Sequence, residues 1–232
     1  MSDVTVVIPY ANYHASLVQR AIYSVRMQTV NVDLVTIHDS DTNGAGWARN
    51  QGLARVETPF TVFLDADDSL HHQFVEHTLA AWKPGQYVYT DWIEGTKRID
   101  APSCVWVNGK HHVISTLIPT AYLRAVGGFD EDLPVAEDTD LFLKLMSSKF
   151  CGLHLREALF TYHKDGQRSR VLLQAGEDGK PVFSPLHDQI ANGFTKKYGT
   201  KAMACCGENE TIIEVPVGER LEGDVLALAM WD

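Results

Sequence analysis

Three short strand-like runs, residues 4–8, 32–37 and 60–64, are each followed by a stretch of helical periodicity, and this alternation constrains the fold more than any other feature. The first run, Val4-Thr5-Val6-Val7-Ile8, is dominated by β-branched residues and ends at Pro9. Such a run reads as a strand buried on both faces, the form strands take in parallel sheets. Residues 16–28 set Leu17, Val18, Ala21, Ile22 and Val25 on one helical face, with Ser16 as the expected cap. Residues 45–54 predict a second helix, and residues 71–82 a third that stops at Pro84-Gly85. Strand, crossover helix and parallel strand in this order predict an α/β fold, with a Rossmann-like, mostly parallel sheet flanked by helices.

The pattern changes further along. Residues 87–93, 104–107 and 153–162 predict strands, and 119–125, 139–149 and 187–198 predict helices. The 139–149 helix is strongly amphipathic, through Leu141, Phe142, Leu145 and Met146. Gly176 to Lys180 predicts a turn. Residues 211–217 and 224–231 read as two strands around a turn. The expected organisation is a catalytic domain over 1–199 and a small C-terminal β appendage over 200–232. With 232 residues, 45% of them hydrophobic, the chain can bury a core of that size.

A formal net charge of -10 disfavours non-specific binding to nucleic acid or an anionic membrane. No apolar run approaches the roughly 20 residues that cross a bilayer, so no integral membrane segment is expected. The first residues lack a basic and then apolar leader, which points to a cytoplasmic location. The four cysteines, Cys104, Cys151 and the adjacent Cys205-Cys206, are too few for a disulfide scaffold. The adjacent pair reads as a short linker with buried thiols, because bridging neighbours is strained.

Acidic residues stand where two of the early strands end: Asp39 and Asp41 after one, Asp65, Asp67 and Asp68 after another. Ligands of open α/β sheets sit in the crevice at these carboxyl ends. Three carboxylates within Asp65-Ala66-Asp67-Asp68 repel one another, and a hard divalent cation among them would relieve that repulsion. A solvated turn capping a helix that starts at Ser69 is the alternative. Glu137-Asp138-Thr139-Asp140 opens another predicted helix. Its carboxylates could complement the helix dipole, or one of them could take a proton from an attacking hydroxyl.

Six segments in order carry a resemblance. They are Val6-Val7-Ile8-Pro9-Tyr10 with Asn12; Ile37 to Thr42; Gly44-Ala45-Gly46-Trp47-Ala48-Arg49-Asn50-Gln51-Gly52; Phe63-Leu64-Asp65-Ala66-Asp67-Asp68; Gly127 to Glu131 followed by Glu137 to Leu141; and Tyr162-His163. Together they resemble family 2 glycosyltransferases of the GT-A fold, over about residues 4 to 170. A dinucleotide fingerprint at Gly44-Ala45-Gly46 is discarded, because Arg49 occupies the third glycine position.

The resemblance implies roles. Pro9, Tyr10 and Asp39 would line the nucleoside pocket, Arg49 would reach the nucleotide, and Asp65 would contact the ribose or donor sugar. Asp67, with His163 as a further candidate, would hold Mn²⁺ or Mg²⁺. Asp138 would be the catalytic base, with Glu137 as its neighbour. Lys164, Arg168 and Arg170 would clamp the diphosphate. The expected partners are a nucleotide-sugar donor, by analogy a UDP-sugar, and a hydroxyl acceptor: a glycan, a protein side chain or a modified DNA base. The last acceptor follows from the short tail, which resembles those of proteins of bacterial viruses. The apolar terminal residues Val225, Leu226, Leu228, Met230 and Trp231 would support self-association. An inverting transfer is the implied reaction. A nucleotide-sugar-forming nucleotidyltransferase, a non-catalytic sugar-nucleotide-binding module and a metal nuclease are the competing classes. The first is disfavoured because the opening strand lacks a Gly-rich activation loop.

Overall fold

A computed structural model describes residues 1–101, 113–163, 173–175, 181–183, 193–194 and 197. In order, the elements are β1 (Val4–Ala11), a 3-10 turn (Asn12–His14), α1 (Val18–Arg26), β2 (Asp33–Asp39), α2 (Ala45–Leu53), β3 (Phe60–Phe63), β4 (Ser69–Leu70), α3 (Phe74–Ala81), β5 (Gln86–Glu94), β6 (Lys97–Ile99), β7 (Ile118–Pro119), α4 (Thr120–Ala125), α5 (Glu137–Ser147), β8 (Cys151–Tyr162), β9 (Leu173–Ala175) and β10 (Pro181–Phe183).

One sheet runs β2-β1-β3-β7, with β1 parallel to both β2 and β3 and with β7 antiparallel at the edge. A second runs β4-β8-β5-β6, built on the long parallel pair β5–β8 between antiparallel edges. An antiparallel bridge between Val88 and Leu117 joins the two sheets. The expected α/β fold with a parallel-rich sheet flanked by helices is therefore present.

Both faces of β1 are covered, which is why its sequence is continuously apolar. Val4, Val6 and Ile8 pack with Val62, Leu64 and Val88 and with α1 and α3 (Val18, Ala21, Val25, Phe74, Val75). Val7 points the other way, to Phe63, Tyr87 and Tyr89 and to α4 and α5 (Leu123, Leu141, Phe142, Leu145). The period of two in the strands sorts residues between the two cores.

Several boundaries differ from expectation. Helix α1 starts at Val18, and Ser16 does not cap it. The 3-10 turn supplies the preceding carbonyls instead: the amide of Leu17 donates to the carbonyl of His14 at 2.9 Å. Helix α3 starts at Phe74 rather than 71, because Ser69 and Leu70 pair with Thr161 and Phe160 of β8. That pairing removes the reading of the acidic turn as a cap for a helix at Ser69. Helix α5 begins two residues early, at Glu137, and ends before Lys149, whose φ is 68°. Strands β9 and β10 pair across residues 176–180. The predicted strand at 104–107, that turn itself and the 200–232 appendage lie outside the described residues. Of the predicted 187–198 helix, residues 193, 194 and 197 are described, and they are helical.

Candidate active site

The carboxyl ends of β1, β2 and β3 lie side by side, since Tyr10 pairs with His38, Ala11 with Asp39, and Val7 with Phe63. The Tyr10 ring stacks on His38, with centroids 4.7 Å apart and planes 7° apart. Asn12 Oδ1 holds the His38 ring through Nε2 at 2.6 Å. This makes a flat aromatic surface at the rim. Beside it, buried Asp39 organises the following loop. Its Oδ1 accepts from the Asn43 amide and side chain at 3.0 and 2.9 Å, and its Oδ2 accepts from the Gly44 amide at 2.9 Å. Burial alone would raise this carboxyl, but the amides of Gly44 and Asn43 outweigh it and hold it below the ordinary range. Thr42 in the same loop sits at φ 58°, a left-handed conformation that a β-branched residue adopts at a cost.

The turn after β3 carries Asp65, Asp67 and Asp68. Asp68 is 2% exposed, and its Oδ1 accepts from the amide of His163 at the end of β8, at 2.9 Å. Burial, then Asp65, push Asp68 up to about 9. Asp67 is raised too, by burial first and by Asp65 next. Arg20 of α1 donates to the Asp67 carbonyl and so pins the turn to the helix. The His163 ring reaches the same turn, with Nε2 sharing a hydrogen bond with Ser69 Oγ at 2.9 Å. The Tyr13 phenol is raised by burial and then by Asp67, Asp39 and Asp65.

Helix α5 brings the second acidic group. Ala136, at φ 61°, turns the chain into it, a second left-handed non-glycine residue beside the crevice. The amide of Thr139 donates to Asp138 Oδ1 at 2.7 Å and fixes that carboxylate at the helix N-terminus. Glu137 points inward to Arg49. The guanidinium is 4% exposed, with Nη1 on Glu137 Oε1 at 2.5 Å and Nη2 on Asp65 Oδ1 at 2.7 Å. Burial would lower Arg49, but Asp65 and Glu137 prevail and raise it. Glu137 is raised, by burial and by Asp138, against the opposing charge of Arg49.

The Gly44-to-Gly52 segment is now legible as packing. A Cβ on Gly46 would meet the Asp130 carbonyl at 3.0 Å, and one on Gly52 would lie 2.2 Å from Val7 Cγ1. Asn50 clasps Phe129 from both sides, donating to its carbonyl at 3.0 Å and accepting from its amide at 2.9 Å. The motif thus docks α2 on β1 and on the loop that leads to α5.

Among the described residues no trio of His, Cys, Asp or Glu forms a ready-made cation cage. The fit is to an open site. Mg²⁺ and Mn²⁺ take one or two carboxylates and complete their shell with substrate phosphates. Asp65, with 38% of its side chain exposed, and Asp67, raised by burial and by Asp65, suit that arrangement. Of the expected site residues, the structure gathers Pro9, Tyr10, Asp39, Arg49, Asp65, Asp67, Glu137, Asp138 and His163 around the strand ends and the start of α5. Lys164, Arg168 and Arg170 lie outside the described residues. Sequence reasoning missed Arg20, His38 and a buried cluster at Asp91. There Oδ1 accepts from His154 Nε2 at 2.7 Å and from the Ala101 amide at 2.8 Å, while Oδ2 accepts from Arg98. Spacing carries no signal for a contact between residues 91 and 154.

The fold is that of GT-A glycosyltransferases. Residues 32–100 match glycosyl transferase family 2. The pre-mycofactocin glycosyltransferase of Mycobacterium tuberculosis is 29% identical over 194 residues, 66% of this chain and 40% of its own length. An uncharacterised glycosyltransferase of Rickettsia conorii is 22% identical over 85% of this chain and 40% of its own. Among solved structures, S. aureus TarS 1–349 in complex with UDP-GlcNAc superposes with a TM-score of 0.62 at 17% identity, over 76% of this chain and 63% of that one. A mannosyltransferase from Pyrobaculum calidifontis in complex with GDP-Man and Mn²⁺ gives 0.58 at 15% identity, over 88% and 72%. Over residues 32–100 the chain is thus similar to glycosyl transferase family 2. It spans about 40% of the length of the curated relatives it matches.

Proposed function

We propose that the chain transfers a sugar from a nucleoside diphosphate donor to a hydroxyl acceptor, with inversion at the anomeric carbon. The observation that carries this reading is the convergence of the Asp65–Asp68 turn and the Glu137–Asp138 helix start on one buried cation, Arg49, at the strand ends. The Tyr10–His38 surface and the Asp39 loop offer a stacking face and hydrogen-bonding groups for the base. Asp65 faces the ribose or sugar. Asp67, with His163 beside it, would hold Mn²⁺ or Mg²⁺, which when bound supplies positive charge to the departing diphosphate. Asp138 takes the proton of the acceptor hydroxyl. The hydroxyl oxygen forms its bond to the anomeric carbon as the bond to the diphosphate breaks, and that electron pair leaves on phosphate oxygen. A single displacement inverts the centre. No helix of the described residues is long and apolar enough to cross a membrane.

UDP-sugars are the first donors to try, followed by GDP-sugars, with Mn²⁺ or Mg²⁺ and nucleoside diphosphate release as the signal. One donor should be turned over, with activity lost on adding EDTA and in Asp67→Ala. Asp138→Asn should lose about 10²–10⁴ in kcat, the usual contribution of a general base. Release of pyrophosphate instead would assign a nucleotidyltransferase. Tight UDP binding without turnover on any acceptor would assign a binding module.

A further inference from the structure

We infer that Arg49 is a positioning residue, which locks the acidic turn after β3 to the N-terminus of α5 and does not itself hold the nucleotide. This rests on the catalytic reading above and departs from the role that resemblance gave to Arg49. Its two terminal nitrogens are committed to two different elements, 16 and 88 residues away in sequence. The side chain is 5% exposed, against 38% for Asp65 and 13% for Glu137, so the carboxylates and not the cation face the crevice. The Phe129 ring lies 5.4 Å from the guanidinium carbon and closes off another side. The buried guanidinium pairs both terminal nitrogens, and only its buried Nε is left without a hydrogen-bond partner.

The geometry around Arg49 is stiff. Gly52 sets α2 against β1, and Asn50 fixes the Phe129 backbone, so the fork has little freedom. Asp138 follows Glu137 directly at the helix start. Arg49 thereby sets the distance between the donor-side carboxylate Asp65 and the base Asp138. Small misplacements of reacting groups cost rate rather than nucleotide affinity, on the order of 10²-fold for 1 Å. A lysine keeps the charge but presents one ammonium where the site uses a fork.

The test compares kcat with UDP affinity, measured by calorimetry in Mn²⁺, for wild type, Arg49→Lys, Glu137→Gln and the double variant. Each single variant should lose tenfold or more in kcat, while the dissociation constant of UDP stays within about threefold. The double variant should be no worse than the poorer single variant, because both changes break one link. A UDP affinity that falls as far as kcat in Arg49→Lys, or a Glu137→Gln variant with unchanged kcat, would overturn the inference. Should wild type turn over no donor, the catalytic reading fails, and the link is then judged on stability alone. Denaturation midpoints of the two single variants should be non-additive in the double, and additive midpoints would reject the lock.

Discussion

Gly52 shows how a single hydrogen in place of a methyl group sets the site. An alanine Cβ there would lie 2.2 Å from Val7 Cγ1, and Val7 belongs to the central strand, 0% exposed. Overpacking of this kind costs about 1–3 kcal/mol, so Gly52→Ala should unfold at correspondingly lower urea. Adding Val7→Ala removes the obstructing methyl, and the pair should recover part of the loss by the same measurement. A Gly52→Ala variant as stable as wild type would mean that α2 does not rest on β1. At this scale the sequence places side chains more readily than it gives their partners. Asp65 and Asp67 follow β3, and Glu137 and Asp138 open α5. Arg49, expected to reach the nucleotide, is paired with Asp65 and Glu137. Asp39 was expected at the base, and it first organises Asn43 and Gly44. Roles depend on partners, and partners 88 residues apart leave no local trace.

The elements that were legible are those whose pattern is set by burial. Strand β3 and helices α2 and α4 fall within a residue of expectation, because apolar runs and helical faces report directly on the two cores, whereas β1 runs through Pro9 to Ala11, three residues past its expected end, by pairing with β2. Strands β4, β6 and β7 are two or three residues long, and only their tertiary partners make them strands. The cluster at Asp91 acts on the same scale. Asp91 is 1% exposed and sits where the β5–β8 register shifts, tying β5 to His154 of β8, to Arg98 of β6 and to Ala101 beyond it. Removing the carboxylate leaves His154 buried without that acceptor. Asp91→Ala should therefore lose about 3–5 kcal/mol in denaturation, as for one member of a buried pair. Burial would raise Asp91, but His154, the Ala101 amide and Arg98 together hold it below the ordinary carboxylate range. A depressed folded value contributes stability that is present above the unfolded value and lost as pH falls through the folded one. The stability gap between wild type and Asp91→Asn should thus be constant near neutrality and shrink as pH falls below the ordinary carboxylate range. A gap that stays constant down to acid would show that Asp91 titrates alike in both states.

Across the whole molecule, the chain gathers most of its site-lining charge as carboxylate on a background of net charge -10. The structure divides the task of offsetting that charge. Arg49 offsets Asp65 and Glu137 from inside, while Arg20 offsets Asp67 and Asp68 only in part, since both carboxyls stay raised. On the proposed reading a divalent ion alone would find few ligands among the described residues, and a diphosphate would supply the remaining oxygens. The ligands should therefore stabilise the fold cooperatively. Mn²⁺ alone should shift Tm little and UDP alone modestly, while the two together should shift it by more than the sum. At 100 times the dissociation constant a ligand adds about 2.7 kcal/mol, and at roughly 2–4 °C per kcal/mol for a chain of this size the joint shift is about 5–10 °C. Asp67→Ala should reduce the response to that of UDP alone, whereas Asp138→Asn, in the first turn of α5, should keep it. A full shift from Mn²⁺ without nucleotide would demonstrate a preformed metal site. A UDP shift that Mn²⁺ leaves unchanged would show that the chain binds its nucleotide without a cation, and the positive charge for the leaving group would then have to come from side chains.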